Sequence, residues 1–204
     1  MAAVVSRGLP VLIVPLEPDR RLEASRVLAR AFVTNPLHVA AFGPAALAVN
    51  EAFFRVGLAA MQGPKLAALD ESRIVGVIHW VGSAQCQFSA FEKLRMLPAL
   101  VRGLGLGPAL SLSSWLSTWS RHDPDEPHVH LGPIGVAPEA QGRQIGRRLM
   151  DRYCEDLGKT GEAGYLETDR PENVEFYRRF GFETIATAPV LGVTNYFMRR
   201  KPGT

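Results

Sequence analysis

Cysteine is scarce in this 204-residue chain, which holds only Cys86 and Cys154. Two distant cysteines make no disulfide framework and no metal-binding spacing, so the expected setting is a reducing cytoplasm, with no metal. Neither lies in a motif for thiolate catalysis, and both read as structural. Long apolar runs are missing as well. None reaches the roughly 18 uncharged apolar residues of a membrane span, so no membrane partner is expected. Residues 1–10, MAAVVSRGLP, lack a long apolar core behind a basic start and read as a flexible tail rather than a secretory leader. Charge of one sign is also in short supply. Lys and Arg number 23 against 20 Asp and Glu, a formal net charge of +3. That suits a small anionic ligand and is too weak a bias for a nucleic-acid partner. Internal repeats, coiled-coil heptads and low-complexity linkers are absent. Hydrophobic residues make up 47% and charged residues 21%, which excludes disorder. The length suffices for one domain with a proper core, and a second full domain is not expected.

The most organised stretch is Leu131–Gly146, LGPIGVAPEAQGRQIG. An apolar strand runs into a Pro-marked turn and then a Gly-rich entry to a helix. Such a turn exposes backbone N–H groups and the helix dipole favours negative charge, so this is a place to hold phosphate. Arg143, Arg147 and Arg148 add positive charge to the same stretch.

Around it the chain alternates strands and helices. Val11–Val14 reads as a first strand, and Leu22, Val27, Leu28, Ala31 and Phe32 form the stripe of a helix that Asn35-Pro36 ends. A second helix is expected over Ala45–Met61, broken by Gly63-Pro64. Lys65–Leu69 and Arg73–Val81 read as strands, the second apolar on both faces. Residues 83–120 carry helical pieces, Phe88–Leu100 and Leu110–Trp119, split by GLGLGP at 103–108. They read as core-covering helices, as the wall of an acceptor pocket, or as both. The polar turn Arg121–Pro127 leads to a central strand, His128–Val136. Gln141–Leu157 is the strongest helical pattern, with Ile145, Leu149, Tyr153 and Leu157 on one face. Tyr165–Thr168 is a buried strand, Pro171–Phe180 a short helix closed by Gly181, and Phe182–Ala186 and Asn195–Arg200 the last strands. This order predicts an α/β domain with helices on both faces of one sheet.

These residues resemble the GNAT superfamily of N-acetyltransferases. One signature is Val136-Ala137-Pro138 followed by Gln141-Gly142-Arg143-Gln144-Ile145-Gly146. The other is Asn173 four residues before Tyr177, then Gly181-Phe182. Within the superfamily the look is closest to puromycin N-acetyltransferase and its relatives, carried by LARAFVTNP at 28–36, HDPDEP at 122–127, YLET at 165–168 and MRRKPG at 198–203. The resemblance implies a mixed, mostly antiparallel central sheet of roughly six or seven strands with a splayed central strand. It implies acetyl-CoA as co-substrate and a primary amine of a small molecule as acceptor, with residues 83–121 as a helical acceptor-side segment and a monomer or homodimer as the assembly. A protein or peptide N-acetyltransferase and a non-catalytic acyl-CoA sensor are the alternatives.

The resemblance also implies roles. The backbone of Gly142, Gln144, Ile145, Gly146 and Arg147 would cradle the pyrophosphate, with Gln141 in the same motif and the Arg143 and Arg147 side chains helping. The strand backbone at Ile134, Gly135 and Val136 would hold the pantetheine arm and the oxyanion, and Gly132, Pro133 and Gly135 suit the disrupted ladder this needs. Asn173 would bind the cofactor arm, and Tyr177 would be the general acid for the departing thiolate. His128, His130, His79 and Glu167 are candidates for a general base, and deprotonation through ordered water stands beside them. One position departs from the family pattern: Gln144 replaces the first Gly of the Gly-x-Gly pair. Its side chain would crowd the ligand, or point away on a right-handed helical backbone.

Overall fold

The computed structural model describes residues 11–87 and 90–203, with backbone alone at 90–94; the expected tail over 1–10 lies outside them. Seven strands form one sheet: β1 (Leu12–Pro15), β2 (Lys65–Asp70), β3 (Arg73–Gly82), β4 (His128–Val136), β5 (Ala163–Thr168), β6 (Phe182–Val190) and β7 (Val193–Arg200). Their order is β1-β2-β3-β4-β5-β7-β6. Every neighbouring pair is antiparallel except β4 and β5. The β-branched run Ile74–Val81 is buried on both faces, as its unbroken apolar pattern requires.

Two helices cover opposite faces of the centre. Helix α1 (Arg21–Phe32) lies over Gly135, where a Cβ would come within 2.9 Å of Leu28. Opposite α1, α7 (Ile145–Thr160) lies over Gly76, where a Cβ would come within 3.0 Å of Ile145. The predicted face of α7 is the buried one: Ile145, Leu149, Tyr153 and Leu157 all enter the core. Each contributes about 1.5–3 kcal/mol of burial. The Tyr153 hydroxyl donates to the Val129 carbonyl at 2.8 Å, so its polar end is satisfied. A second apolar cluster joins α2 (Pro36–Phe42), α3 (Leu47–Ala60), α5 (Ala90–Leu104) and α6 (Leu106–Ser120) around Trp115, Phe42 and Leu112. Among the described residues no single helix is long and apolar enough to cross a membrane.

Several boundaries differ from the sequence reading, each for a local reason. Asn35 does not only mark an end. Its side chain accepts from the N–H groups of Leu37 and His38, with Pro36 next, and so starts α2, a helix the sequence reading missed. The break expected across 103–108 is narrower, since Gly105 at φ 87 alone separates α5 from α6. The chain also forms α4 (Ser83–Cys86) directly after β3. Strand β6 runs on past Ala186 to Val190, because Leu191 (φ 49) and Gly192 (φ 79) form a tight hairpin turn to β7. Helix α7 begins at Ile145, not Gln141, since Gly142 (φ 77) and Gln144 (φ 61) both hold left-handed backbone.

The feature that positions the site is in β4. Ile78 pairs with Ile134 but Trp80 pairs with Leu131, so β4 spends one extra residue opposite His79, at Gly132–Pro133. Gly132 is required there, because a Cβ would lie 2.5 Å from His79 Nδ1. On its other side β4 pairs with β5 only from His128 to His130. Beyond Leu131 the two parallel strands part, and cover comes instead from α8 (Pro171–Arg178), which packs on β5 and β6.

Candidate active site at the splayed strands

A cleft of about 830 Å³ opens where β4 and β5 part. It is lined by Ile134, Gly135 and Val136 from β4, by Gln141, Gly142, Gln144, Ile145, Gly146 and Arg147 from the turn and α7, and by Asn173 and Tyr177 from α8. The Ala137 N–H bonds the Val75 carbonyl at 2.9 Å. By antiparallel alternation, Ile134 and Val136 therefore turn their main-chain groups away from β3 and toward the gap. The Val136 carbonyl accepts from Gln141 Nε2 at 3.1 Å, which pins the turn to the strand. At the start of α7 the Arg148 N–H bonds the Gln144 carbonyl at 3.1 Å. The amides before it are those that a helix N-terminus leaves without intrahelical partners, and they suit a phosphate.

Two sequence expectations are corrected here. Arg143 does not line the cleft; its guanidinium bonds Asp70 at 2.6 Å at the end of β2. The Asp70 carboxyl is held below its usual range by that bond. Gln144 does not hold the right-handed helical backbone on which its side chain was expected to point away, since its φ of 61 and ψ of 14 are left-handed. The sequence reading also missed Arg170 and Arg179, which line the cleft beside Arg147. Their proximity to the Asn173/Tyr177 motif was the available signal.

A second cavity, of about 250 Å³, lies on the other side of Ile134. Phe32, Phe53 and Phe54 wall it together with Trp115 and Trp119 of α6. His38 stands among these rings, 5.1 Å from Trp115 and 5.5 Å from Phe54 by centroid. Burial pulls its imidazole down to about 4, against a bond to Asn50. The two cavities share Phe32, Asn35, Ile134, Asn173 and Tyr177. Tyr177 is only 6% exposed. Burial first, and the Asp169 charge second, push its phenol up. Asn173 Nδ2 donates to Thr168 Oγ1 at 3.2 Å, which joins α8 to the end of β5.

The polar end of this cavity collects the candidate bases. His79, His130 and Glu167 line it; His128 does not. Burial lowers His79 to about 4, and its Nε2 meets the Gln62 carbonyl. His130 Nε2 donates to Glu167 Oε2 at 2.8 Å. Burial opposes a proton on His130, but Glu167 and Asp123 override it and raise the imidazole well above its usual value. For His128 the same contest, with Asp123 as the main partner, ends at about 9. Asp123 resists burial through His128, His130, Gln87 and Cys86 and stays far below the usual carboxylate range. Cys86, read from the sequence as structural, reaches this cluster from α4, its thiol 3.1 Å from Asp123 Oδ2.

Comparison with known proteins agrees with this arrangement. The sequence profile of the acetyltransferase (GNAT) family matches residues 48–182. Over 94 residues the chain is 39% identical to the N-alpha-acetyltransferase RimI of Mycobacterium tuberculosis, covering 43% of this chain and 57% of that protein. Over 71 residues it is 35% identical to the mycothiol acetyltransferase of Pseudarthrobacter chlorophenolicus, covering 33% and 22%. The matches thus span less than two thirds of these curated relatives. A Corynebacterium glutamicum structure described as histone acetyltransferase HPA2 and related acetyltransferase superposes with a TM-score of 0.73 at 22% identity, covering 96% of this chain and 98% of that one. At that identity the likeness speaks for the fold. With the family profile spanning the parted strands, the turn and the Asn173/Tyr177 helix, the chain belongs to the acetyltransferase (GNAT) family.

Proposed function

We propose that this protein transfers the acetyl group of acetyl-CoA, the family's co-substrate, to a primary amine of a small molecule by direct attack on the thioester. One observation carries the reading: a cleft built for an anion and an apolar cup meet at Ile134 and Tyr177. The cleft fits the cofactor by its own chemistry, with α7's free amides and Arg147 at one end and unpaired β4 main chain at the other. Bound acetyl-CoA supplies the acetyl thioester. One of the main-chain N–H groups of Ile134 and Val136, which are too far apart on an extended strand to share an acceptor, donates to the oxygen that gains charge as the amine attacks, and the other holds the pantetheine arm. Asn173 and Phe176 flank the arm that reaches them. Tyr177, kept protonated by burial, gives its proton to the departing thiolate, and the proton shed by the attacking nitrogen restores the phenol.

The cup favours an amine borne on an apolar or aromatic body, since five aromatic side chains wall it. An amino-nucleoside or antibiotic amine of the kind that puromycin N-acetyltransferase-like members accept fits that description. The identity to RimI supports a second reading, acetylation of a protein N-terminus, with only the terminal residue entering the cup. A turnover screen read by release of free CoA thiol separates them. Amines on aromatic bodies should turn over faster than N-terminal peptides and polyamines. A preference for peptides would move the assignment to the second reading, and no thiol release with any amine would leave a binding protein.

A further inference from the structure

We infer that Cys86, Asp123, His128 and His130 form a site for a divalent transition-metal ion, zinc by the chemistry of its donors. Four side chains from three separate places supply it: α4, the turn before β4, and two positions on β4. Their donor atoms all lie within 4.8 Å of one another. Four donors at zinc bond lengths of about 2.0–2.3 Å sit about 3.3–3.8 Å apart in a tetrahedron. Asp123 Oδ1 lies 3.2 Å from His128 Nε2 and 3.5 Å from His130 Nδ1. Those separations match a shared ion as well as they match a direct contact.

The orientation of the rings favours the ion. Asp123 Oδ1, His128 Nε2 and His130 Nδ1 are buried and none has a partner in hydrogen-bonding geometry. His128 is 1% exposed, so water cannot compensate it. The outer nitrogen of each ring is already committed. His128 Nδ1 meets the Glu126 carbonyl at 2.8 Å, and His130 Nε2 meets Glu167 Oε2 at 2.8 Å. Both acceptors place a ring proton on the outer nitrogen, so an ion that displaces the inner protons meets two lone pairs aimed at one point. That is the outer-sphere arrangement of metal-bound histidines, in which a carbonyl or carboxylate fixes the tautomer. Gln87 Nε2 holds the other Asp123 oxygen, Oδ2, at 2.8 Å in the same way. A thiolate and a carboxylate with two neutral imidazoles carry two negative charges, which a divalent ion neutralises.

The inference goes beyond acetyl transfer, which needs no metal. The ion would clasp α4 and the Arg121–Pro127 turn to β4 and so hold the acceptor-side helices over the cup, whose polar end Cys86, Asp123 and His130 line. No local spacing announces it, because only the fold brings α4 to β4.

The test uses the full chain without a polyhistidine tag, stripped with EDTA, given zinc chloride, desalted and assayed by plasma mass spectrometry. A single equivalent of zinc is expected. Cobalt chloride in its place should give tetrahedral visible bands with a thiolate-to-cobalt charge-transfer band. Cys86→Ser, a near-isosteric change at a half-buried position, should abolish that band, and His128→Gln should weaken zinc binding by at least about tenfold. Circular dichroism checks that each variant is folded; should His128→Gln unfold, the charge-transfer band of Cys86→Ser decides. Substoichiometric zinc, an octahedral cobalt spectrum, or zinc binding undiminished in folded Cys86→Ser would overturn the site and leave a proton-filled polar cluster.

Discussion

Asn35 donates through Nδ2 to Asp169 Oδ1 at 2.7 Å, at the place where the two cavities meet. The other Asp169 oxygen accepts from the Leu37 N–H, also at 2.7 Å, so one buried carboxylate ties the α1–α2 corner to the end of β5. Asn35 acts twice, because its own oxygen caps α2. Asn35→Ala should therefore cost about 2–4 kcal/mol, summing a lost cap and a carboxylate oxygen left without its partner. Urea unfolding measures this. A loss below about 0.5 kcal/mol, the size of an ordinary surface change, would mean that the corner is held by packing alone.

Tyr177 stands at the junction with its phenol pushed up by burial and by Asp169. The raised value keeps the O–H intact past the ordinary phenol value of about 10, so the acid role proposed for it should persist throughout the neutral and mildly alkaline range. Tyr177→Phe should lower kcat by more than about tenfold, in the range of a lost general acid, with acetyl-CoA affinity little changed. Steady-state kinetics with isothermal titration calorimetry separate the two effects. Unchanged kcat would remove Tyr177 from the chemistry.

The contrast between Tyr177 and Arg143 shows what a linear sequence can and cannot disclose. That Asn173 and Tyr177 share one face of α8 was legible because helix spacing sets it, and local periodicity needs no tertiary knowledge; the roles given to them came from the family resemblance. The α7 face, the two-sided burial of β3 and the Gly/Pro disruption of β4 were legible for the same reason. Arg143 was not, since its partner Asp70 comes from a strand 73 residues away. Helix α2 was missed because Asn-Pro both ends and starts helices, and only the cap geometry at Asn35 distinguishes the two. Cys86 read as inert because its partners, Asp123, His128 and His130, reach it only through the pairing of β3 with β4.

Gln144 holds a left-handed backbone at the entry to α7, which explains why glycine serves well at that position. The side chain is tolerated at some strain, and shape at Cβ should control the outcome. Gln144→Gly should change stability by less than about 1 kcal/mol, since relief of strain and added freedom of the unfolded chain oppose each other. Gln144→Val should cost about 1–3 kcal/mol, because a branched Cβ is poorly accommodated at positive φ. Thermal or urea unfolding of the pair checks this. Equal stability of the two variants would show that the turn relaxes to another backbone.

His38 gives the fold an acid sensitivity that can be isolated. Its Nδ1 meets Asn50 Oδ1 at 2.5 Å, and the remainder of the ring packs among Phe32, Phe42, Phe53, Phe54 and Trp115. Burial holds its folded value at about 4. The unfolded chain takes up the proton near 6.5. A depressed folded value means that stability is fully present above about pH 6.5 and falls as pH drops toward 4, by at most about 1.4 kcal/mol per unit for one proton. Carboxylates elsewhere add their own acid dependence, so the informative quantity is a difference. His38→Gln keeps a donor for Asn50 but cannot titrate. Urea unfolding from pH 7 to 4.5 should give a shallower decline for the variant than for the native protein. Parallel curves would show that the folded state protonates His38 as readily as the unfolded chain does, and that the aromatic cage accepts the charged ring.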